Sequence, residues 1–228
     1  MRVLIWNLFH GRAVPGVGRD LLPEFERAIA GWEWDVALLQ EVPPWWPQAL
    51  ASACDADART ALTSRNLGLE LRRALAERWP DVIKSNGGGA NAILVRAGAG
   101  PIAAHRRLLL RRWPERRVCH AVALADGTWC ANLHAQVHSA ERARADIERA
   151  AAATLAWAGV GQALLGGDFN VRSPNAPGFA ALGGRGVDHV LGRGMVAAGA
   201  AELPGHGELS DHAPVIVNAA PRAGSGGG

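Results

Sequence analysis

Lysine is nearly missing from this chain and tyrosine is missing altogether: Lys84 is the only lysine among 24 basic side chains, and the tyrosine count is 0 in 228 residues. The positive charge is therefore almost all arginine, whose planar forks suit phosphate oxygens. A GC-rich codon bias, which also favours Ala and Gly, accounts for the same ratio. Cysteine is scarce as well. Cys54, Cys119 and Cys130 are odd in number and form no C-x-x-C pair, which argues against a disulfide framework and for a reducing compartment. No stretch approaches the roughly 18 apolar residues that cross a bilayer. Met1-Arg2 runs straight into Val3-Leu4-Ile5-Trp6, without the apolar length or small-residue cleavage site of a signal peptide. A soluble, cytoplasmic monomer is the expectation. There is no G-x-G-x-x-G at a strand-to-helix junction and no G-x-x-x-x-G-K-[ST], so dinucleotide and P-loop chemistry have no support. Nor does any repeat of 20–50 residues appear.

What is present is an ordinary globular composition, 49% hydrophobic and 20% charged with a net charge of +3. One domain over residues 1–219 and a flexible tail over 220–228 are expected. Short apolar runs predict strands at Arg2–Asn7, Asp35–Gln40, Asn91–Arg96, Gln162–Gly167, Val187–Leu191 and Pro214–Asn218. Arg117–Leu124 and Thr128–His134 read as a hairpin turning at Asp126-Gly127. Helical spacing predicts helices at Leu21–Trp32, at Leu67–Trp79 with Leu67, Leu71 and Leu75 on one face, and from a Ser139 cap to about Trp157. A turn is expected at Gly87-Gly88-Gly89. Helices and strands alternate without a regular βαβ cadence, which favours an α/β sandwich of mixed sheets over a doubly wound parallel sheet.

Six of these strands end in polar groups: Asn7, Gln40-Glu41, Asn132-x-His134, Asp168-x-Asn170, Asp188-His189 and Asp211-His212. A core strand has no reason to stop at Asp-x-Asn or Asp-His unless those groups face a hydrophilic rim. A fold that aligns the ends would gather them into one metal-assisted hydrolytic pocket. Each also has a plain structural explanation. Glu41 could sit at a helix N-terminus before Pro43, Asn7 could satisfy a strand end, and Asp168-Phe169-Asn170 could be an Asx-turn. Asp188 could be a loop carboxylate, Asp211-His212 a turn, and His134 a packing residue. His10, His138, His189 and His206 lie near these motifs, but their spacing does not separate ligands from surface residues. The nine tryptophans, Trp45-Trp46 included, read as packing.

Taken in order, Leu4-Ile5-Trp6-Asn7, Leu38-Leu39-Gln40-Glu41, Asn91-Ala92-Ile93-Leu94, Asn132-Leu133-His134, Gly167-Asp168-Phe169-Asn170, Val187-Asp188-His189-Val190 and Ser210-Asp211-His212 resemble the endonuclease/exonuclease/phosphatase superfamily, the deoxyribonuclease-I-like fold. The resemblance covers almost the whole chain. It implies a four-layer α/β/β/α sandwich of two packed mixed sheets flanked by helices, and Mg²⁺- or Mn²⁺-dependent hydrolysis of a phosphate ester. Glu41, Asn7 and Asp211 are then expected on the metal, as hard oxygen donors. Asp168 would orient or deprotonate the attacking water. Asn170, on the same side of an extended strand, would position that water or a phosphate oxygen. Asp188 would accept the ring N–H of His212 and raise its pKa, and His134 would donate to the phosphoryl group. The chain departs from the family at Phe9, where many such nucleases carry an acidic residue. It also lacks a mid-chain tyrosine or glutamate that often assists the phosphate.

Arg106, Arg107, Arg111, Arg112, Arg116 and Arg117 crowd the stretch before the hairpin, expected as a strand pair or loop near the site. They read equally well as a phosphate-backbone track and as a solvated face. With Asn91, Arg111 and Arg112 are the expected substrate contacts. The leading expectation is a nuclease that acts on DNA ahead of RNA. A phosphatase or phosphodiesterase on a small-molecule or lipid headgroup phosphate is the alternative, and a non-catalytic phosphate-binding module comes third.

Overall fold

Along the first strand, β1 (Arg2–Asn7), side chains alternate between two buried layers: Val3 and Ile5 on one face, Leu4 and Trp6 on the other. A strand buried on both faces is mainly apolar, and β2 (Val36–Val42) and β4 (Ala90–Arg96) are so apart from Gln40, Glu41, Asn91 and Arg96 near their ends, of which only Glu41 and Arg96 are half-exposed. The computed structural model describes residues 1–64, 66–81 and 89–223. The expected turn at Gly87-Gly88 and residues 224–228 of the expected tail lie outside them.

Two six-stranded sheets result. The first adds β3 (Ala56–Leu62), β11 (Met195–Ala197) and β12 (Val215–Pro221), in the order β11-β12-β1-β2-β4-β3. The second holds β5 (Ile102–Arg111), β6 (Arg117–Leu124), β7 (Trp129–His134), β8 (Ala163–Asp168), β9 (Ala180–Arg185) and β10 (Asp188–Arg193), in the order β5-β6-β7-β8-β10-β9. Each is mixed, with one parallel pair inside: β1 with β2, and β7 with β8. Val3, Ile5, Leu38 and Ile93 of the first sheet meet Val122, Cys130, Leu164 and Val190 of the second. Phe25 and Ile29 of α1 (Leu22–Gly31) and Leu50 of α2 (Pro47–Ala53) cover the outer face of the first sheet. Ala143, Ile147 and Ala150 of α4 (Ala140–Ala158) cover the second. The expected four-layer sandwich is thus the observed one. Each parallel pair is bridged by a helix crossing over its own sheet, so the C-terminal ends of β1, β2, β7 and β8 open onto one rim. No helix of the described residues is long and apolar enough to cross a membrane.

The helix expected at Leu67–Trp79 forms as α3 (Leu69–Arg78), but its apolar side does not join the core: Leu67 is 90% and Leu71 68% exposed. Both sheets already have their outer faces covered. Good helix formers and the Arg73–Glu77 pair at i,i+4 support it locally.

β5, read only as a strand pair or loop, is a ten-residue edge strand. At its end Arg111 turns away from the rim and grips Asp146 of α4, with Nε 3.1 Å from Oδ1 and Nη2 3.1 Å from the same oxygen. The expected substrate contact is therefore a structural tie. Asp146 is wholly buried and otherwise accepts the Gln136 N–H. Arg111→Ala would leave a buried carboxylate without its cation and is expected to cost about 3 kcal/mol, read from urea unfolding. A loss under about 0.5 kcal/mol, the level of an exposed pair, would show the tie to be ornamental. Arg112 is exposed beyond the strand end.

Candidate active site

Three register facts assemble the rim. Asn7 pairs with Gln40 across β1 and β2, His134 with Asp168 across β7 and β8, and Asp188 with Asp168 across β10 and β8. Glu41 reaches the rim by a different route. The β2–β4 register slips by one residue between Leu39 and Val42, and Glu41 itself has φ of 50°. Such a bulge re-aims one side chain out of the pleat, so Glu41 faces the cavity while Gln40 points between the sheets. There Gln40 Nε2 donates to Asn132 Oδ1 at 2.8 Å, and Asn132 Nδ2 donates to the carbonyls of Leu39 and Ala92 at 2.9 Å each. Gln40 and Asn132, read as rim groups from their position at strand ends, are instead a buried cross-sheet clamp under the site.

The rim surrounds an open cavity of about 370 Å³ lined by Asn7, Phe9, His10, Glu41, Arg117, His134, Asp168, Asn170, Asp211 and His212, among others. Asp168 stands at its centre. Its Oδ2 accepts from Asn7 Nδ2 at 3.1 Å, and lies 3.6 Å from His134 Nε2 and 3.8 Å from His212 Nε2. Its Oδ1 accepts the Asn170 backbone N–H at 2.9 Å. That bond closes an Asx-turn, with Asn170 at φ 51° and its Nδ2 donating to the Ala135 carbonyl. β8 ends at Asp168, so Asn170 is not on the extended strand expected for it; the turn, not strand parity, brings it to the cavity wall.

Opposite environments act on the two central titratable groups. Burial, followed by the charge of Asp188, raises the Asp168 carboxyl to about 6 against the pull of His212, Asn170 and Asn7. For His212 burial disfavours the imidazolium, but the hydrogen bond and charge of Asp188, with Asp168 and Asp211 behind it, overcome this and raise it to about 9. The Asp188 contact is 2.8 Å from Oδ2 to Nδ1, the pairing the sequence suggested. Trp6 Nε1 donates to the His212 carbonyl and Ser210 Oγ accepts the His212 N–H, so the backbone that carries the ring is fixed on both sides.

Other expected residues fall differently. Asn7 turns its amide oxygen to the Phe9 N–H and its NH₂ to Asp168, so its hydrogen bonds serve the carboxylate rather than an open metal position. Asn91 is buried and donates to the Val118 carbonyl; it does not line the cavity. Asp211 lines it while largely exposed. His189 sits against Phe169 and His206 against Trp6, both off the cavity, whereas His138 lines it.

Two wall residues were not singled out. His10 Nε2 lies 3.3 Å from Glu41 Oε2, on the opposite side of that carboxylate from His134 Nδ1, which is 3.9 Å from Oε1. Arg117 is buried at the start of β6, with Nη2 donating to Glu115 Oε2 at 2.6 Å and Nε without a partner among the described residues. Burial lowers its pKa against the charges of Glu115, Glu41 and Asp168. The Arg117 guanidinium lines the cavity beside Arg116, and a planar charged fork there is suited to an anionic oxygen. Among six clustered arginines, nothing in the local sequence separates Arg117 from the others; the packing around the start of β6 does.

The donor atoms of Asp168, Asp188 and His212 lie within 4.8 Å of one another, a spacing that could hold a cation. Asp188 and His212 are hydrogen-bonded to each other within this group, Oδ2 to Nδ1 at 2.8 Å. Glu41, Asp211 and Glu115 line the cavity beside Asp168; Glu115 is taken up by Arg117, and the others offer the hard oxygen donors that a divalent ion prefers. Fold and site are those of a phosphoester hydrolase. The chain belongs to the Endonuclease/Exonuclease/phosphatase family, whose model matches residues 4–212.

Solved structures share the fold at low identity. A functionally unknown conserved protein from Enterococcus faecalis V583 is 15% identical, with a TM-score of 0.72 over 97% of this chain and 100% of that one. The mannosyl-6-phosphatase Bt3783 of Bacteroides thetaiotaomicron is 15% identical, with a TM-score of 0.71 over 96% and 99%. TDP2 of Caenorhabditis elegans is 14% identical, with a TM-score of 0.67 over 95% and 73%. No curated protein matches the chain by sequence.

Proposed function

We propose that the protein is a divalent-cation-dependent phosphodiesterase that cleaves nucleic acid, DNA ahead of RNA, as a cytoplasmic monomer. One observation carries the hydrolytic reading: the Asp168 carboxylate and the His212 imidazole meet on one cavity wall at 3.8 Å, in surroundings that push the first up to about 6 and the second up to about 9. At neutral pH Asp168 is ionised and His212 protonated, the division of labour that acid–base catalysis needs. Asp168, fixed by Asn7 and Asn170, takes a proton from the attacking water. His212 gives its proton to the leaving oxygen, Arg117 holds a phosphoryl oxygen, and His134 donates to the phosphoryl group from between the two carboxylates. Glu41, with Asp211, would hold Mg²⁺ or Mn²⁺, which supplies charge neutralisation at the phosphate.

The substrate class rests on where cations sit. Arg116 and Arg117 line the cavity on one side, and Arg172 and Arg185 flank an adjoining recess beyond Asp188 and His212. Cations on both sides suit a polyanion lying across the rim more than a compact monoester. The monoester reading draws on Arg117 alone, whose buried guanidinium also suits a terminal phosphate.

A substrate panel tests this: supercoiled plasmid, single-stranded RNA, a bis-aryl phosphodiester, an aryl phosphate monoester and a phospholipid headgroup, each with Mg²⁺, Mn²⁺ or EDTA. Plasmid nicking and diester cleavage are expected, falling at least about 100-fold with EDTA. Turnover of the monoester or headgroup alone would overturn the diester assignment. Salt-sensitive DNA binding with no cleavage would favour a binding module.

A further inference from the structure

The loop after β1 places His10 deliberately. Phe9 and His10 both have positive φ, 50° and 55°, a conformation that costs about 1–2 kcal/mol per non-glycine residue and so must be held by its surroundings. Arg12 lies over the Phe9 ring at 5.1 Å. Gly11, at φ 75°, is pressed so closely on the Trp46 ring that a Cβ there would come within 2.3 Å of it. This support turns the His10 side chain, only 10% exposed, against Glu41, which is itself in a left-handed bulge. Two adjacent residues and the carboxylate they face thus share a costly backbone conformation at the cavity wall.

We propose that His10 is a nitrogen ligand to the cation held by Glu41, and that it tilts the site toward Mn²⁺ and neighbouring transition ions over Mg²⁺. This rests on the reading of Glu41 as the cation's carboxylate. The 3.3 Å between His10 Nε2 and Glu41 Oε2 is close to the separation of adjacent ligands on an ion with bonds of about 2.1–2.2 Å, which is about 3 Å. Phe9 offers no donor atom, so the loop's one donor side chain beside Glu41 is an imidazole. Imidazole is a poor partner for Mg²⁺, which prefers oxygen and keeps its waters, and a good one for ions further along the first transition row. The rival role is a positioning one, in which His10 donates a hydrogen bond to Glu41 and favours all divalent ions alike.

Equilibrium Mn²⁺ and Mg²⁺ binding by calorimetry, with pulsed EPR of the Mn²⁺-loaded protein, separates these roles. Wild type is expected to show histidine nitrogen coupling to Mn²⁺. His10→Ala and the more conservative His10→Gln should lose the His10 coupling and weaken Mn²⁺ by about tenfold, while Mg²⁺ changes less than about threefold. A far-ultraviolet spectrum like wild type shows that each variant is folded. Coupling that persists unchanged in both variants, or equal weakening of both ions, overturns the ligand role. Failure of wild type to bind Mn²⁺ at all, or binding that survives Glu41→Gln unchanged, overturns the underlying cation reading as well.

Discussion

Asp168→Asn is expected to lower turnover about 1,000-fold and yet to unfold a few degrees above the parent at pH 8 in cation-free buffer. The rate loss follows from removing the one carboxylate among the described residues that touches Asn7, Asn170, His134 and His212 together. The stability gain follows from the direction of its titration. The folded-state pKa is raised from 3.8 to about 6, so the stabilising protonated form is fully populated below 3.8 and is lost as pH rises through about 6. Above that, the fold carries a buried anion. A shift of about two units is worth on the order of 3 kcal/mol. Asparagine keeps one acceptor for the Asn170 N–H but sets its own NH₂ against that of Asn7, which cancels part of the gain and leaves about 1–2 kcal/mol. For a chain of this length that corresponds to roughly 3–6 °C. Calorimetry and initial rates on the same preparation check both halves. Retention of more than a tenth of the parent rate would sink the assignment of Asp168 as base.

Such a residue was legible because its environment is written into the chain. Ala163–Gly167 has no polar side chain, so the carboxylate that ends it must meet either water or a partner. Asn7 and His134 end their strands in the same way, whereas Glu41 reaches the cavity through a bulge inside β2 and His212 from the loop before β12. The same logic worked less well where a polar side chain ends a strand on its inner face. Strand parity puts Gln40 with Val36 and Leu38 between the sheets, and only the bulge at Glu41 separates its fate from that of its neighbour. Asn170 was assigned by that same parity, which the Asx-turn ends at once. Arg111 and Arg117 pair across β5 and β6, yet one binds a helix and the other lines the cavity. That distinction depends on what packs against each face, which local sequence does not carry. The apolar spacing of α3 was a true helix signal and a false burial signal, because amphipathicity does not say whether a sheet face remains to be covered. His10 depended on tertiary support for a left-handed loop, for which His10-Gly11 is at most a weak hint.

His212→Gln is expected to cost about 100-fold or more in kcat/KM at pH 7.5 and to remove the alkaline limb of the pH profile. The wild-type profile should rise as Asp168 ionises near 6 and fall as His212 loses its proton near 9; both limbs belong to the coupled cluster rather than to isolated groups. Stability follows the same titration. The folded-state pKa of His212 is raised above the ordinary imidazole value of 6.5, so its contribution is complete below 6.5 and is lost as pH rises through about 9. Asp188→Asn isolates the cause. Burial alone pushes the imidazole down, and the 2.8 Å bond to Asp188 is the first of the contributions opposing it. Removing that charge should shift the alkaline limb about two units toward neutrality. The acid limb should move down as well, because the Asp188 charge helps to hold the Asp168 carboxyl up, so activity would survive best near pH 6 with the imidazole still protonated. A structural Asp188 would instead lower the whole profile without moving its limbs, and that outcome would remove His212 from the acid role and leave Arg117 and the cation to carry the phosphate's charge.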